Sequence, residues 1–463
     1  MDMLTILAWL MIIVFMVLIM TKKMQPFTAL VLVPLVFVLI GSAFGLYTAA
    51  VTEQYKGVVT VWNQFRIVGE WTLAGLKQTS TTAVMLLFAI MYFAIMLNAG
   101  LFDPVTKTML RFAKGDPMKV LFATAVVSAA VSLNGDGTTT TLIVCTAFLP
   151  LYRKLGLKIM NLGVLLIMMN TIMNLLPWGG PTARAISVLK IDGGPVLSAL
   201  APGMIVAVIY MLGVSLYLGM KERKRVGIVE MTNAEIDELT APSSEEEQAL
   251  KRPKKVWINA IMTIVIIAWL IVGGFVSDLA VPSVFLFLVG TALALVINYK
   301  KLSEQKQRIQ DNAGDALQVV ILVLGAGIFM GLFTNSGMAT ALANSLTRVI
   351  PESLGNYWGM VVAFVSAPGT FFLSNDAFYY GVLPVIAETG YKFGFTALQL
   401  GIASVLGQAF HLLSPLVAFI YLLLNLTGLD MGAWQRESAK WAVGVFIIFI
   451  VVAGITGAVP FKL

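Results

Sequence analysis

Two short polar stretches interrupt an otherwise apolar sequence, and both carry residue types suited to holding an anion. The first, residues 132–141, reads SLNGDGTTTT. Gly135 and Gly137 permit a sharp turn that leaves backbone N–H groups exposed. Thr138 and Thr139 then open a helical segment with amides and hydroxyls facing the turn. Free amides at a helix N-terminus attract negative charge. Ser132 and Asn134 add neutral hydrogen-bonding groups. Asp136 sits among them and is costly to bury as an anion. It either binds a cation, carries a proton, or caps the second arm. The second stretch, residues 372–384, reads FLSNDAFYYGVLP. Here Ser374 and Asn375 are neutral and Asp376 brings the charge, with capping as the alternative.

Two proline-broken stretches add further polar groups. Residues 176–185 read LPWGGPTARA. Pro177 and Pro181 break a helix, Gly179 and Gly180 open its backbone, and Thr182 adds a hydroxyl. Arg184 is the one charged residue between 159 and 189. Its planar fork suits a bidentate carboxylate. The alternatives are snorkelling to an interface or pairing with Asp192. Residues 411–417 read HLLSPLV. Ser414 adjoins the helix-breaking Pro415. His411, the single histidine, relays protons or binds substrate, or serves as a hydrogen-bonded structural residue. Asn98 and Asn335 each precede a glycine by two positions, and either line the same cavity or cap helices.

Other chemistries fit less well. One histidine and one cysteine, Cys145, do not suffice for a zinc or copper cage made by the protein. H-E-x-x-H and G-x-S-x-G are absent. Asp136 and Asp376 would suit an aspartyl intramembrane protease dyad, but G-x-G-D is missing. The net charge of +7 does not point to nucleic acid, because the basic residues lie in short loops between apolar runs.

The elements that position these groups are membrane helices. The 463 residues are 59% hydrophobic and only 12% charged, against about 25% charged in soluble domains. Lipid must therefore solvate much of the surface. Apolar stretches cover 3–20, 29–46, 81–101, 120–135, 137–152, 159–183, 194–220, 256–277, 279–299, 316–347, 353–375, 393–429 and 441–461. The first lacks a basic leader and a cleavage site, which predicts a retained helix. Residues 120–135 and 137–152 have no proper loop between them, nor do 353–375 and 377–387. Such pairs predict re-entrant hairpins with buried tips. Basic loops at Lys22–Lys23, Lys107–Lys114 and Arg153–Lys158, the ends of a long central loop, and Lys300–Arg308 belong on the cytoplasmic side. That charge pattern places both termini outside, the first hairpin entering from the cytoplasm and the second from outside. The acidic segment 230–247, with Pro242, Ser243 and Ser244, reads as a solvated linker.

The two halves repeat one another. Residues 96–102 match 333–338, 132–136 match 372–376, Pro150 matches Pro384, and 175–177 match 413–415, at offsets of about 234 to 240 residues. Opposite entry sides make the repeat inverted, which places a substrate at the midplane on interrupted helices. The predicted fold is an all-α membrane protein with two re-entrant hairpins and two broken helices. Its expected divisions are N-terminal helices to residue 80, repeat 1 over 81–220 (hairpin 117–152, broken helix 159–192), and a linker over 221–255. Scaffold helices over 256–313, repeat 2 over 314–429 (hairpin 356–391, broken helix 395–426) and a C-terminal helix over 430–463 complete it.

SLNGDGTTT, LPWGGPTARA, FLSNDAFYYGVLP and HLLSP together resemble the CitMHS family of citrate–magnesium/calcium:proton symporters, within the ion-transporter superfamily. The resemblance covers nearly the whole chain. It implies uptake of citrate complexed with a divalent metal ion, Mg2+ or Ca2+, coupled to protons across a bacterial cytoplasmic membrane. No cofactor is implied, since the metal travels as part of the substrate. A homodimer embedded in membrane lipid is implied. In that setting the substrate is met by the two tips, by Gly179, Gly180, Thr182 and Arg184, and by Ser414. Asp136, Asp376 and His411 take the coupling roles, with the two aspartates as candidate metal contacts. The sequence departs from the family at Asn134, where an acidic residue is common. A carboxamide there brings no second negative charge. Exchange or symport of another anion, such as a dicarboxylate, gluconate or arsenite, is the competing transport reading.

Overall fold

The order of helices in the first half recurs, element by element, in the second. The computed structural model describes residues 2–232, 234–235 and 245–463. The first half opens with α1 (Met3–Met20), α2 (Pro26–Ala43) and the short α3 (Thr48–Gln54). A series then runs α4 (Val61–Asn98), α5 (Asp103–Ala113), α6 (Pro117–Val131), α7 (Gly137–Lys154), α8 (Ile159–Met173), α9 (Gly180–Leu189) and α10 (Gly193–Val226). After the linker come α11 (Val256–Phe275) and α12 (Ser283–Asn298). The second series is α13 (Leu302–Asn335), α14 (Met338–Thr347), α15 (Trp358–Phe372), α16 (Leu383–Lys392), α17 (Ala397–Leu406), α18 (Ala418–Thr427) and α19 (Met431–Thr456). A π-turn, Ala377–Val382, leads into α16, and a short turn, Gln408–His411, extends α17. No strand occurs among the described residues, and eight helices are long and apolar enough to cross a membrane.

The matched sequence features have matched structural roles. Asn98 and Asn335 are the last residues of α4 and α13. Each leads to a left-handed glycine, Gly100 at φ 85° and Gly337 at φ 78°, from which α5 and α14 depart. This is the left-handed helix stop that glycine adopts without a Cβ clash. The pair α4 and α13 forms the most extensive helix contact in the molecule. At their crossing a Cβ on Gly75 would lie 2.0 Å from the Gly327 carbonyl oxygen and 2.9 Å from the Gly331 Cα. The two backbones therefore touch, as small residues permit in membrane helices.

The structure extends several expected spans. The stretch expected from residue 81 belongs to a helix starting at Val61, with Thr60 capping the Asn63 N–H. Arg66, Glu70 and Lys77 do not end it, because exposed charges suit the wet end of a long helix, and Arg66 pairs with Glu70 one turn on. Likewise α13 starts at Leu302 rather than 316, and residues 316–347 divide between α13 and α14 at Gly337. Hydropathy marks the lipid-facing part of a helix and misses its polar extension. Of the acidic linker segment, Pro242, Ser243 and Ser244 lie outside the described residues.

Candidate substrate site

The first tip is built to turn sharply. After α6 a single 3-10 turn, Ser132–Asn134, reaches Gly135 at φ 79°. A Cβ there would be strained by that φ and would sit 3.0 Å from Trp178 Cδ1. Asn134 Oδ1 accepts from the Asp136 N–H at 2.7 Å. The Asp136 carboxylate accepts from the N–H groups of Thr138 (3.2 Å) and Thr139 (2.7 Å), and its carbonyl accepts from Thr140 Oγ1 (2.8 Å). Asp136 is thus the N-cap of α7, which corrects the expectation of bare amides. Two of them are already satisfied by the carboxylate, so the tip offers the exposed Asp136 and Thr138 side chains instead.

The second tip uses its matching aspartate differently. Backbone at Asp376 is already helical (φ −63°, ψ −44°), and its side chain makes no capping bond. Ser374 Oγ accepts from the Ala377 N–H at 3.2 Å in its place. The freed Asp376 carboxylate accepts from Arg184 Nε at 2.7 Å. Arg184 also donates through Nη1 to the Gly180 carbonyl at 2.8 Å. Both side chains of the ion pair remain about one-fifth exposed, 21% and 19%. The pairing with Asp192 considered above is not made: Asp192 caps α10 through the Gly194 N–H at 2.8 Å.

The breaks themselves are held by short-range bonds. A Cβ on Gly179 would fall 2.1 Å from the Asn174 carbonyl oxygen, so no larger residue fits. Thr182 is fully buried and donates to the Leu175 carbonyl at 2.9 Å, stapling the break rather than facing the cavity. Ser414 is fully buried too. It accepts from the Leu416 N–H at 3.2 Å and shapes the second break. His411, 5% exposed, places Nδ1 2.6 Å from the Thr370 carbonyl. A carbonyl only accepts, so Nδ1 carries the proton and the ring is fixed against α15. For His411 this is the hydrogen-bonded structural alternative, and for Thr182 and Ser414 it corrects the expected substrate contact to a bond within the break.

Each half of the molecule crosses to the other's tip. Arg184 on α9 meets the second tip, and α9 packs on the π-turn and on α17. Conversely α18 packs on α7, where a Cβ on Gly137 would lie 2.3 Å from the Phe419 ring. Trp178, in the first break, donates to the Leu133 carbonyl of the first tip at 2.8 Å. Its ring stacks on Phe93 of α4 at 4.9 Å and meets Phe287 of α12 edge-on at 5.1 Å. Gln408 donates to Asn375 Oδ1 and to the Tyr379 hydroxyl, each at 3.0 Å. Trp178, Phe419, Gln408 and Tyr379 were not predicted from sequence. Only Gln408 carried a signal, as an amide in the apolar run before Pro415.

Hairpin tips, broken helices and a cross-repeat ion pair mark a multi-pass, all-helical membrane protein built from two repeated halves, and its family and relatives make it a secondary transporter and not an enzyme. The family model of CitMHS, described as "Citrate transporter", matches residues 13–407, and the chain belongs to that family. It is 42% identical over 460 residues to a protein of Bacillus subtilis (strain 168) named "Citrate transporter", covering 99% of this chain and 100% of that one. It is 39% identical over 462 residues to the "Mg(2+)/citrate complex secondary transporter" of the same organism, covering 99% of each. Among solved structures it resembles the Alcanivorax borkumensis YdaH transporter, with a TM-score of 0.59 and 13% identity, over 87% of this chain and 90% of that one. That likeness shows the fold alone.

Proposed function

We propose that this chain takes up citrate complexed with a divalent metal ion, driven by protons, and that Arg184 holds a carboxylate of the complex. The observation that carries this reading is the Arg184–Asp376 ion pair, which joins the first broken helix to the second tip. An arginine at such depth requires a counter-charge. Asp376 supplies it. A substrate carboxylate can replace Asp376 if a proton neutralises the aspartate at the same time. One proton and one anion then enter together, and neither charge is left unpaired. Tyr379 and Tyr380 belong to the π-turn that follows Asp376, on which α9 packs.

Metal complexation lowers the charge that must be desolvated. Free citrate carries about −3 at neutral pH, its divalent-metal complex about −1, and burying the smaller charge is far cheaper. Among the described residues no group of three or more His, Cys, Asp or Glu side chains converges on one point. The ion would therefore take most of its oxygen ligands from citrate and water, which suits Mg2+ or Ca2+, with Asp136 as the exposed carboxylate at the first tip. The neutral groups of Asn134, Thr138, Thr139, Ser374 and Asn375 supply the remaining hydrogen bonds, whereas Ser132 is buried in the first tip's turn and does not face the substrate. The same reading puts the chain in a bacterial cytoplasmic membrane as a homodimer, with the first hairpin entering from the cytoplasm and the second from outside.

Counterflow of radiolabelled citrate in proteoliposomes tests the metal. Exchange is expected with magnesium or calcium and absent in EDTA. Equal rates in both conditions would exclude the complex as substrate.

A further inference from the structure

Gln408 is 2% exposed and opens the short turn that extends α17 toward Pro415. Its neighbours accept only one orientation of its amide. The Ser404 carbonyl can only accept, so the Tyr379 hydroxyl points its single hydrogen there, at 3.2 Å. That hydroxyl can then only accept from Gln408, and the donor must be Nε2, at 3.0 Å. The other Nε2 hydrogen goes to Asn375 Oδ1, also at 3.0 Å. Turning the Gln408 amide over would bury two unpaired N–H groups where a single oxygen, Oε1, now lacks a partner. That lone oxygen makes the carboxamide a cost at this position, offset by the two bonds of Nε2. Both bonds end on the second tip, at Asn375 and at Tyr379 in the π-turn.

A carboxamide held by its oxygen is left to bond through its nitrogen. Asn375 Oδ1 is taken by Gln408, so Nδ2, bonded to no described residue, carries the free hydrogens of a partly exposed side chain. The next residue, Asp376, holds Arg184. We infer that Gln408 is a positioning residue that gives the second tip its polarity. Through the Ser404–Tyr379–Gln408 relay it fixes Asn375 as a hydrogen-bond donor to a substrate carboxylate. Without that hold the Asn375 amide can present its oxygen, which repels an anion, as readily as its nitrogen. A tip built for a cation would need the opposite orientation. This role deepens the proposed function and rests on the second tip meeting the substrate, not on which metal accompanies it.

Initial rates of citrate uptake, with magnesium, by the reconstituted protein test this as a double-variant cycle. Gln408→Met keeps the length of the side chain and removes its donor. Asn375→Ala removes the amide that Gln408 orients. Each is expected to raise the citrate KM about tenfold, the scale of one hydrogen bond to a charged group, with the maximal rate within about twofold of the parent. Because both act through one group, the double variant should also lie about tenfold above the parent rather than about a hundredfold. A merely structural Gln408 would instead lower the melting temperature and the maximal rate and leave KM unchanged. An unchanged KM in Gln408→Met, or a double variant at the product of the single effects, overturns the inference. Where Gln408→Met yields no folded protein, Tyr379→Phe takes its place. It frees Nε2 from its second anchor, so it should raise KM too and lose that effect in the Asn375→Ala background. Uptake by the parent in the same assay reports separately on the proposed function.

Discussion

Asp136 and Asp376 align in the repeat yet do different work. Asp136 accepts two amides of α7, whereas Asp376 holds Arg184. Asparagine caps a helix about as well as aspartate, so Asp136→Asn separates charge from capping. It should express and fold like the parent but lose metal-dependent citrate uptake. Normal uptake would reduce Asp136 to a cap. Arg184→Ala leaves Asp376 as an unpaired anion, and breaking a buried pair in this way costs about 3–5 kcal/mol. Solvent access at this pair lowers that figure. The double variant Arg184→Ala/Asp376→Asn should recover the lost thermal stability in detergent while uptake stays absent. Uptake by either Arg184 variant would contradict the assigned role. At this scale the sequence showed which residues lie at the breaks but not their partners. Arg184 and Asp376 are 192 positions apart, and no local pattern marks that contact. Thr182, Ser414 and His411 look like ligands in sequence because polar groups in apolar runs draw attention. Their bonds are instead to carbonyls and amides of the breaks or of α15.

The breaks and crossings depend on residues too small to replace. A methyl group on Gly179 would strike the Asn174 carbonyl, and one on Gly75 would strike Gly327. Overpacking of this kind costs about 1–3 kcal/mol, and more where backbone is the obstacle. Gly75→Ala should therefore lower the melting temperature of the purified protein, whereas Gly213→Ala in α10, where a Cβ meets nothing within 4 Å, should not. Equal melting curves would remove the backbone contact from the α4–α13 crossing. Hairpins and broken helices were legible because proline, glycine and missing loops leave local marks. The start of α4 was not. Its first turns mix apolar residues with Asn63, Gln64, Arg66 and Glu70, and only tertiary packing along α13 shows that one helix runs on into the membrane.

At the scale of the whole molecule, the foot of the first hairpin is locked to α10. Asp116 caps α6 and accepts from both Nε and Nη2 of Arg223, while Glu222 accepts from the Lys158 N–H at 3.0 Å. Burial favours the neutral form of Asp116. The hydrogen bonds from Arg223 and from the Met118 N–H outweigh it and hold the carboxyl below the usual range. A carboxyl lowered by folding adds stability above its unfolded pKa, about 3.9, and loses it as pH falls through the folded value. Thermal stability should therefore decline on acidification below about pH 4, and Asp116→Asn should be less stable at neutral pH with a shallower acid decline. An unchanged acid profile in the variant would show that the lock contributes nothing.

The claim on which the rest depends is that a substrate carboxylate takes the place of Asp376 on Arg184. Equilibrium binding of radiolabelled citrate, with magnesium, to the purified protein tests it most directly. The parent and Asp376→Asn should bind, and Arg184→Ala should not. Binding to Arg184→Ala with the affinity of the parent would contradict the account.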